Sequence, residues 1–175
     1  MYRARTTTTL RARQGRVTGK IERTDRTNGA TSLVLDRDYA MRVVELINRA
    51  EREIKLCIYA WRSYPESPES AIQKFNTALI RAHNRGVKIR CIVDGYNVKT
   101  QLERMGFEVC YIGRYKTMHT KALIVDDREM LMGSHNLTQR AFETNFESSL
   151  YITEHEPVLQ FCEYFEQVWS GHVGR

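Results

Sequence analysis

One stretch of the sequence carries residue types that could act together on a phosphate. His119 and Lys121 are separated by a single residue, and Asn136 ends the same string, HTKALIVDDREMLMGSHN. A histidine can serve as a nucleophile or a proton carrier, while an ammonium group and an amide can hold phosphate oxygens. Phosphoryl transfer needs a nucleophile, a proton donor for the leaving oxygen and donors for the developing charge. The string therefore predicts a site that cleaves a phosphate ester bond.

The spacing of the string suggests how these groups could meet. The run His119–Val125 is predicted as a strand, on which His119 and Lys121 would project to the same side, about 7 Å apart. A turn at Gly133 and Ser134 would let the backbone approach a phosphate closely. An unpaired lysine would be costly to bury in an apolar strand, which favours a phosphate-facing role for Lys121.

The full string resembles the H-x-K-x4-D-x6-G-S-x-N signature of the phospholipase D superfamily at full spacing. The matching residues are His119, Lys121, Asp126, Gly133, Ser134 and Asn136. The resemblance implies that one histidine attacks phosphorus to form a covalent phosphohistidine, while the histidine of a second motif protonates the leaving group and then activates water. The sequence holds the motif once. Similarity to single-motif nucleases of the family therefore implies a homodimer in which both His119 side chains face one phosphate across a twofold axis.

The resemblance also suggests supporting roles around the histidine. Asp126 is expected to support the site, and Ser134 either orients it or only forms the turn. Glu147 matches the position of an acidic residue that hydrogen-bonds the nucleophilic histidine and fixes its tautomer; the alternative is a solvated glutamate at the start of a strand. Gly133 and His135 are predicted substrate contacts, and His135 could instead face the partner subunit.

A metal centre built from His119, Asp126 and His135 is the alternative to chemistry without metal. No two of these residues have a spacing familiar from metal sites, so we predict that no metal and no other cofactor is used. The cysteines also lack the paired spacing of zinc ligands, and a reducing compartment would keep them as thiols. They are predicted to be small buried side chains; they are Cys57, Cys91, Cys110 and Cys162.

The elements around the string predict an α/β (α+β) domain with a mixed β-sheet flanked by helices, one copy in the chain. The predicted strands are Ile54–Ala60, Val87–Val93, Phe107–Ile112, His119–Val125, Met130–Met132 and Ser148–Ile152. The predicted helices begin after a cap at Asp36 or Asp38, at Ser67, at Lys99 and at Thr153, the last with a buried face of Val158, Phe161, Phe165 and Val168. This domain is expected to cover residues 30–175. Asn28 and Gly29 could close a hairpin between 20–27 and 30–35.

The excess positive charge lies at the start of the sequence. Residues 1–37 hold nine Lys or Arg against three acidic residues, and this net +6 equals the charge of the whole chain. Residues 1–29 are therefore predicted to be a basic arm that grips polyphosphate, and a solubilising or disordered tail is the alternative. The basic residues expected to contact substrate are Arg11, Arg13, Arg16 and Lys20.

The substrate is expected to be DNA or RNA. No apolar run approaches the length of a bilayer span and the basic start lacks an apolar segment, so we expect a cytoplasmic protein without stable membrane insertion. Lipid-acting members of the superfamily usually carry two motifs in one long chain, which favours a metal-independent endonuclease here. A phospholipid-acting hydrolase or transferase and a non-catalytic nucleic-acid-binding module are the alternatives. Trp61, Tyr64 and Tyr96 follow predicted strands and either stack bases or pack on the scaffold.

Overall fold

The computed structural model describes residues 31–113 and 116–172, which form a seven-stranded mixed sheet with helices on both faces. The strands are β1 (Ser32–Leu35), β2 (Glu53–Ile58), β3 (Lys88–Val93), β4 (Glu108–Tyr111), β5 (Ala122–Val125), β6 (Glu129–Gly133) and β7 (Ser148–Ile152). The helices are α1 (Asp38–Arg49), α2 (Ala71–Asn84), α3 (Tyr96–Arg104), α4 (Gln139–Glu143) and α5 (His155–His172). The predicted fold class is confirmed.

The sheet has a parallel half and an antiparallel half, in the order β1-β7-β6-β5-β2-β3-β4. β2, β3 and β4 are parallel, with α2 and α3 as their connections, and β5, β6, β7 and β1 are antiparallel to their neighbours. β2 and β3 are apolar along most of their length because helices cover both faces of this half. The two halves meet where β2 pairs with β5.

The two faces of the sheet are covered unequally. Helices α1 and α2 pack on one face over the larger core, to which Leu46 and Phe75 contribute fully buried side chains. On the other face α5 packs with Val158 and Phe165 fully buried, and Phe161 and Val168 are partly buried, as predicted. α5 alone cannot cover seven strands, so part of this face stays exposed beyond Met132.

A buried ion network fixes α5 on its face of the sheet. Lys55 on β2 is 4% exposed and Arg90 on β3 is 8% exposed. Arg90 donates to Glu53 and to Glu166 of α5, each with a closest distance of 2.5 Å, and Lys55 Nζ lies 2.5 Å from Asp127 Oδ1. Each buried cation therefore has carboxylate partners, which offsets its loss of hydration.

Several helix starts differ from the predicted ones. Residues 67–70 form turns, so α2 begins at Ala71 rather than Ser67, and α3 begins at Tyr96 rather than Lys99. α5 begins at His155, two residues after the predicted start, and the five-residue α4 is too short for apolar periodicity to predict. The residue that precedes α1 is Arg37, which makes no side-chain cap.

The four cysteines are buried thiols, as predicted. Burial raises the pKa of Cys57 to about 12, and burial followed by a hydrogen bond to Asp127 raises that of Cys162 to about 12. Residues 20–30 of the predicted hairpin and the whole arm 1–29 lie outside the described residues.

Candidate active site

Five of the predicted site residues converge at one edge of the sheet. β5 runs antiparallel to β2, so its start lies beside the end of β2, where Cys57 pairs with Ala122. β6 ends at the same edge. An open cleft of about 650 Å³ lies there, and its lining includes His119, Lys121, Met132, Gly133, Ser134 and Asn136. The spacing of the string thus gathers these groups around one cleft.

His119 is exposed in the cleft and precedes β5. The predicted strand began three residues too early, so the alternation of strand side chains does not govern this pair. The ring of His119 lies 5.1 Å from the ring of Tyr59, centroid to centroid. The preceding residue, Met118, is buried and donates its backbone N–H to Asp94 Oδ1 at 2.9 Å. These contacts hold the imidazole at the mouth of the cleft.

Lys121 is 9% exposed and lines the same cleft as His119. Its Nζ donates to the backbone carbonyl of His119 at 2.6 Å and lies 5.4 Å from the centroid of the Tyr59 ring. Burial lowers the pKa of Lys121, and the carboxylate of Glu147 partly opposes that shift. Because an ammonium group has three N–H donors, two remain for an anionic ligand in the cleft.

Asn136 lines the cleft. Its Oδ1 accepts the backbone N–H of Ala60 at 3.1 Å, which leaves Nδ2 as a donor. Gly133 permits the close approach of two strands, since a Cβ there would overlap the carbonyl oxygen of Ser148 and the backbone of Ser149. Only glycine fits this position because β7 lies so close, and the predicted contact of Gly133 with a substrate phosphate stays a prediction.

Glu147 lies near the cleft, but its carboxylate binds Ser134 rather than His119. Ser134 Oγ donates to Glu147 Oε2, and Asn145 Nδ2 donates to Oε1 at 3.0 Å. The backbone N–H of Glu147 donates to the Asp36 carboxylate at 2.8 Å. The predicted hydrogen bond to His119 is therefore not formed among the described residues. Asp36 had been predicted as a possible cap of α1, but its carboxylate binds this loop instead.

Asp126 lies at the opposite end of β5 from the cleft. Its carboxylate accepts the backbone N–H groups of Glu51, Arg52 and Glu53 at 2.8–2.9 Å. Burial alone would raise the pKa of Asp126, but these hydrogen bonds outweigh it and lower the pKa below its usual value. The predicted supporting role of Asp126 at the active site is wrong: its hydrogen bonds stabilise the segment between α1 and β2.

His135 is 1% exposed and belongs to the core. Its ring stacks on Tyr39 at 4.1 Å, Nδ1 pairs with Ser149 Oγ at 2.7 Å, and Nε2 pairs with the Asp36 carbonyl at 3.0 Å. The predicted contact of His135 with substrate or partner is therefore wrong.

The alternative metal centre is not assembled. His119 lies in the cleft, Asp126 at the far edge of the sheet and His135 in the core. Within residues 31–113 and 116–172, no group of three or more His, Cys, Asp or Glu side chains could hold a metal ion.

The aromatic residues divide between scaffold and surface. Trp61 is buried and donates its indole N–H to Asn76 Oδ1 at 2.8 Å, and Tyr64 packs against the core. Tyr96 is 62% exposed and remains accessible. The four basic residues predicted to contact substrate lie outside the described residues; they are Arg11, Arg13, Arg16 and Lys20.

Tyr59 and Asp94 were missed by sequence reasoning. Each directly follows the carboxyl end of a parallel strand, β2 for Tyr59 and β3 for Asp94. Ligands of α/β sheets commonly bind at such ends, and this rule could have identified both residues.

A histidine, a lysine and an amide gathered at the edge of a mixed sheet define the phosphodiester-cleaving class of the phospholipase D superfamily. The chain belongs to this superfamily: the family described as "Cardiolipin synthase, PLD-like domain" matches residues 43–169. This match begins within α1 and ends within α5, so it covers every strand except β1 and includes all the residues that line the cleft.

Curated relatives carry lipid-related names. The mitochondrial cardiolipin hydrolase of Canis lupus familiaris is 29% identical over 136 residues, which are 74% of this chain and 50% of the relative. A phospholipase D of Rickettsia felis is 29% identical over 133 residues, 73% of this chain and 60% of the relative. The chain thus spans about half to three fifths of the length of these relatives.

Solved structures with this fold include two bacterial proteins. NucT from Helicobacter pylori has a TM-score of 0.69 and 21% identity, covering 83% of this chain and 99% of its own. Nuc from Salmonella typhimurium, a phospholipase D family member, has a TM-score of 0.66 and 21% identity, covering 81% and 95%. These similarities establish the fold. Among the described residues, none of the helices is both long and apolar enough to cross a bilayer.

Proposed function

We propose that this protein is a metal-independent phosphodiesterase that cuts DNA or RNA as an endonuclease, with His119 as the nucleophile. The observation that carries the proposal is the exposed imidazole at the mouth of a cleft that also offers the Lys121 ammonium and the Asn136 amide. A phosphate bound there would meet a nucleophile and two donors of the kind that stabilise charge on phosphoryl oxygens.

The chemistry follows in two displacements. A ring nitrogen of His119 attacks phosphorus, the P–N bond forms, and the P–O bond to the leaving oxygen breaks. The His119 imidazolium of the second subunit gives its proton to that oxygen. The same imidazole then takes a proton from water, whose oxygen attacks phosphorus and releases His119. Lys121 and Asn136 hold the non-bridging oxygens in both steps.

A surface for the second subunit lies beside the cleft. Leu150 on β7 is 39% exposed and pairs with Leu33 on β1, which is 69% exposed, and with Met132, which lines the cleft. Phe146 is 98% exposed in the loop that precedes Glu147. Because α5 leaves this apolar row uncovered next to His119, a twofold-related copy would cover it and bring in the second histidine.

Replacing Phe146 with aspartate is expected to raise the dimer dissociation constant by at least about 30-fold, as is typical for loss of an aromatic anchor. Sedimentation velocity across a concentration series measures this change, and cleavage activity should fall as monomer accumulates. Met41→Asp is the matched control, since Met41 is 55% exposed on α1, on the other face of the sheet. A Phe146→Asp protein that is monomeric and fully active would contradict the shared site.

Two observations bear on the substrate. The net charge of +6 favours a polyanion such as nucleic acid. The names of the relatives favour the second candidate, a phospholipid-acting hydrolase or transferase. The cytoplasmic location expected from the sequence stays a prediction.

One experiment separates the candidates. The purified protein is incubated in excess EDTA with single-stranded and duplex DNA, with RNA, and with cardiolipin or phosphatidylcholine vesicles. We expect nucleic acid to be cut in EDTA by the wild type and not by His119→Ala, with binding that weakens steeply as salt rises. Hydrolysis of the lipids alone would establish the second candidate. Binding of nucleic acid without turnover, with or without added metal, would identify a non-catalytic module.

A further inference from the structure

A second cleft, of about 420 Å³, opens beside the first at the ends of β2 and β3. Its lining includes Tyr59, Trp61, Arg62, Asp94, Tyr96 and Asn97. We propose that this cleft, called here the Tyr59–Tyr96 cleft, binds one nucleobase next to the cleaved phosphate. The proposal rests on the proposed function and names the feature of the substrate that the site recognises.

The position of Tyr59 joins the two clefts. Its ring belongs to the lining of the second cleft and lies 5.1 Å from the His119 ring in the first. The Lys121 ammonium lies 5.4 Å from the same ring. A flat group that binds on the side of Tyr59 away from His119 would therefore lie next to a phosphate held by His119 and Lys121. A base lies next to the phosphate of its own nucleotide in the same way.

The chemistry of the walls fits a planar, polar ring. Tyr59 is 44% exposed and Tyr96 is 62% exposed, so both offer an aromatic face to a ligand. Bases stack on such faces without regard to sequence. Arg62 and Asn97 are exposed in the same cleft and supply donors and an acceptor for the edge of a base.

The tyrosines differ from Trp61 and Asp94 of the same cleft, whose polar groups are bonded to the scaffold. Trp61 is buried and its indole N–H is bonded to Asn76, while Asp94 accepts the backbone N–H of Met118. The Tyr96 ring is oriented by edge contact with Tyr111 at 5.9 Å and by Lys99 at 5.8 Å. The ring is thus held in place while the residue stays 62% exposed, which is the arrangement of a binding surface rather than of a core residue.

This site requires a base that is free of its neighbours. In a duplex both faces of each base are covered by stacking, and removing a base from the stack costs free energy. We therefore expect unpaired nucleic acid to be bound and cut in preference to duplex of the same sequence.

The test measures binding separately from cleavage. On the inactive His119→Ala background, fluorescence anisotropy compares a labelled single-stranded oligonucleotide with one of equal length made of abasic residues. Tyr96→Ala is expected to weaken binding of the base-bearing strand about tenfold and to leave binding of the abasic strand unchanged. Tyr164→Ala, at a tyrosine that is 41% exposed on α5, should change neither. Circular dichroism confirms folding of each variant.

The outcomes separate the two proposals. Equal weakening for both strands, or no weakening for either, overturns the nucleobase site while leaving cleavage in EDTA as the test of the enzyme. Base-dependent binding without cleavage by the otherwise wild-type protein overturns the enzyme and keeps the site. Absence of binding and cleavage overturns both.

Discussion

Replacing His119 with alanine is expected to lower the rate of phosphodiester cleavage by at least about 10⁴-fold, because the nucleophile and the partner's proton donor are lost together. The fold should be unaffected, since the His119 side chain is exposed and its one described ring contact is with Tyr59. The rate is measured in EDTA beside His155→Ala, which removes an exposed histidine at the start of α5.

Mixing the wild-type protein with His119→Ala tests whether the active site is shared between two subunits. If each site needs His119 from both subunits, only dimers with two wild-type subunits are active after subunit exchange. Activity then falls with the square of the wild-type fraction, so an equal mixture keeps about a quarter of it. Independent sites would keep about half. A linear dependence on the wild-type fraction, with subunit exchange demonstrated, would show that each subunit works alone.

Asp126→Asn is expected to lower the free energy of unfolding by about 2–3 kcal/mol without a comparable loss of catalysis. Asparagine retains one oxygen acceptor but places an NH₂ group against one of the three backbone N–H groups of residues 51–53. It also tolerates the φ of 55° at this position, which alanine would adopt only with strain. Urea unfolding gives the stability change and an activity assay at low temperature gives the rate. Glu163→Gln, at an exposed residue of α5, is the control.

The difference in the free energy of unfolding between the wild type and Asp126→Asn depends on pH with a definite sign. The folded-state pKa of Asp126 is lower than its ordinary value of 3.8, so the unfolded chain takes up the proton first as pH falls. The stabilisation by the carboxylate is therefore complete above about pH 5 and is lost as the pH falls through the folded pKa. The stability gap between wild type and Asp126→Asn should narrow below pH 4. If Asp126→Asn lowered the cleavage rate strongly at unchanged stability, Asp126 would instead have a role in catalysis.

The sequence predicted the core of the candidate site because that core is mostly local. His119, Lys121, Gly133 and Asn136 lie on or beside the β5–β6 hairpin, so their spacing in the chain fixes their spacing at the sheet edge. The mixed sheet was equally predictable from apolar runs and helical periodicity. These signals depend on neighbours in sequence and require no knowledge of distant contacts.

The remaining residues depend on contacts between distant segments. Tyr59 reaches His119 only because β2 pairs with β5, and Asp126 finds its partners in the segment before β2. His135 stacks on Tyr39, which lies far from it in the chain, and bonds to Ser149, which belongs to the next strand of the sheet. A motif shows which residue types are present, whereas their burial and partners are decided by tertiary pairing.

The pairing of β2 with β5 also sets the time at which the cleft can exist during synthesis. The wall that carries Tyr59 joins the wall that carries Lys121 only after about sixty further residues have been made. The bond between Asp36 and Glu147, which anchors the loop next to Ser134, spans 111 positions. Such non-local closures are slow and come late in folding. Under the proposed function, a nascent chain that has not yet reached Asn136 and Glu147 therefore carries no complete cleft and cannot bind a phosphate there.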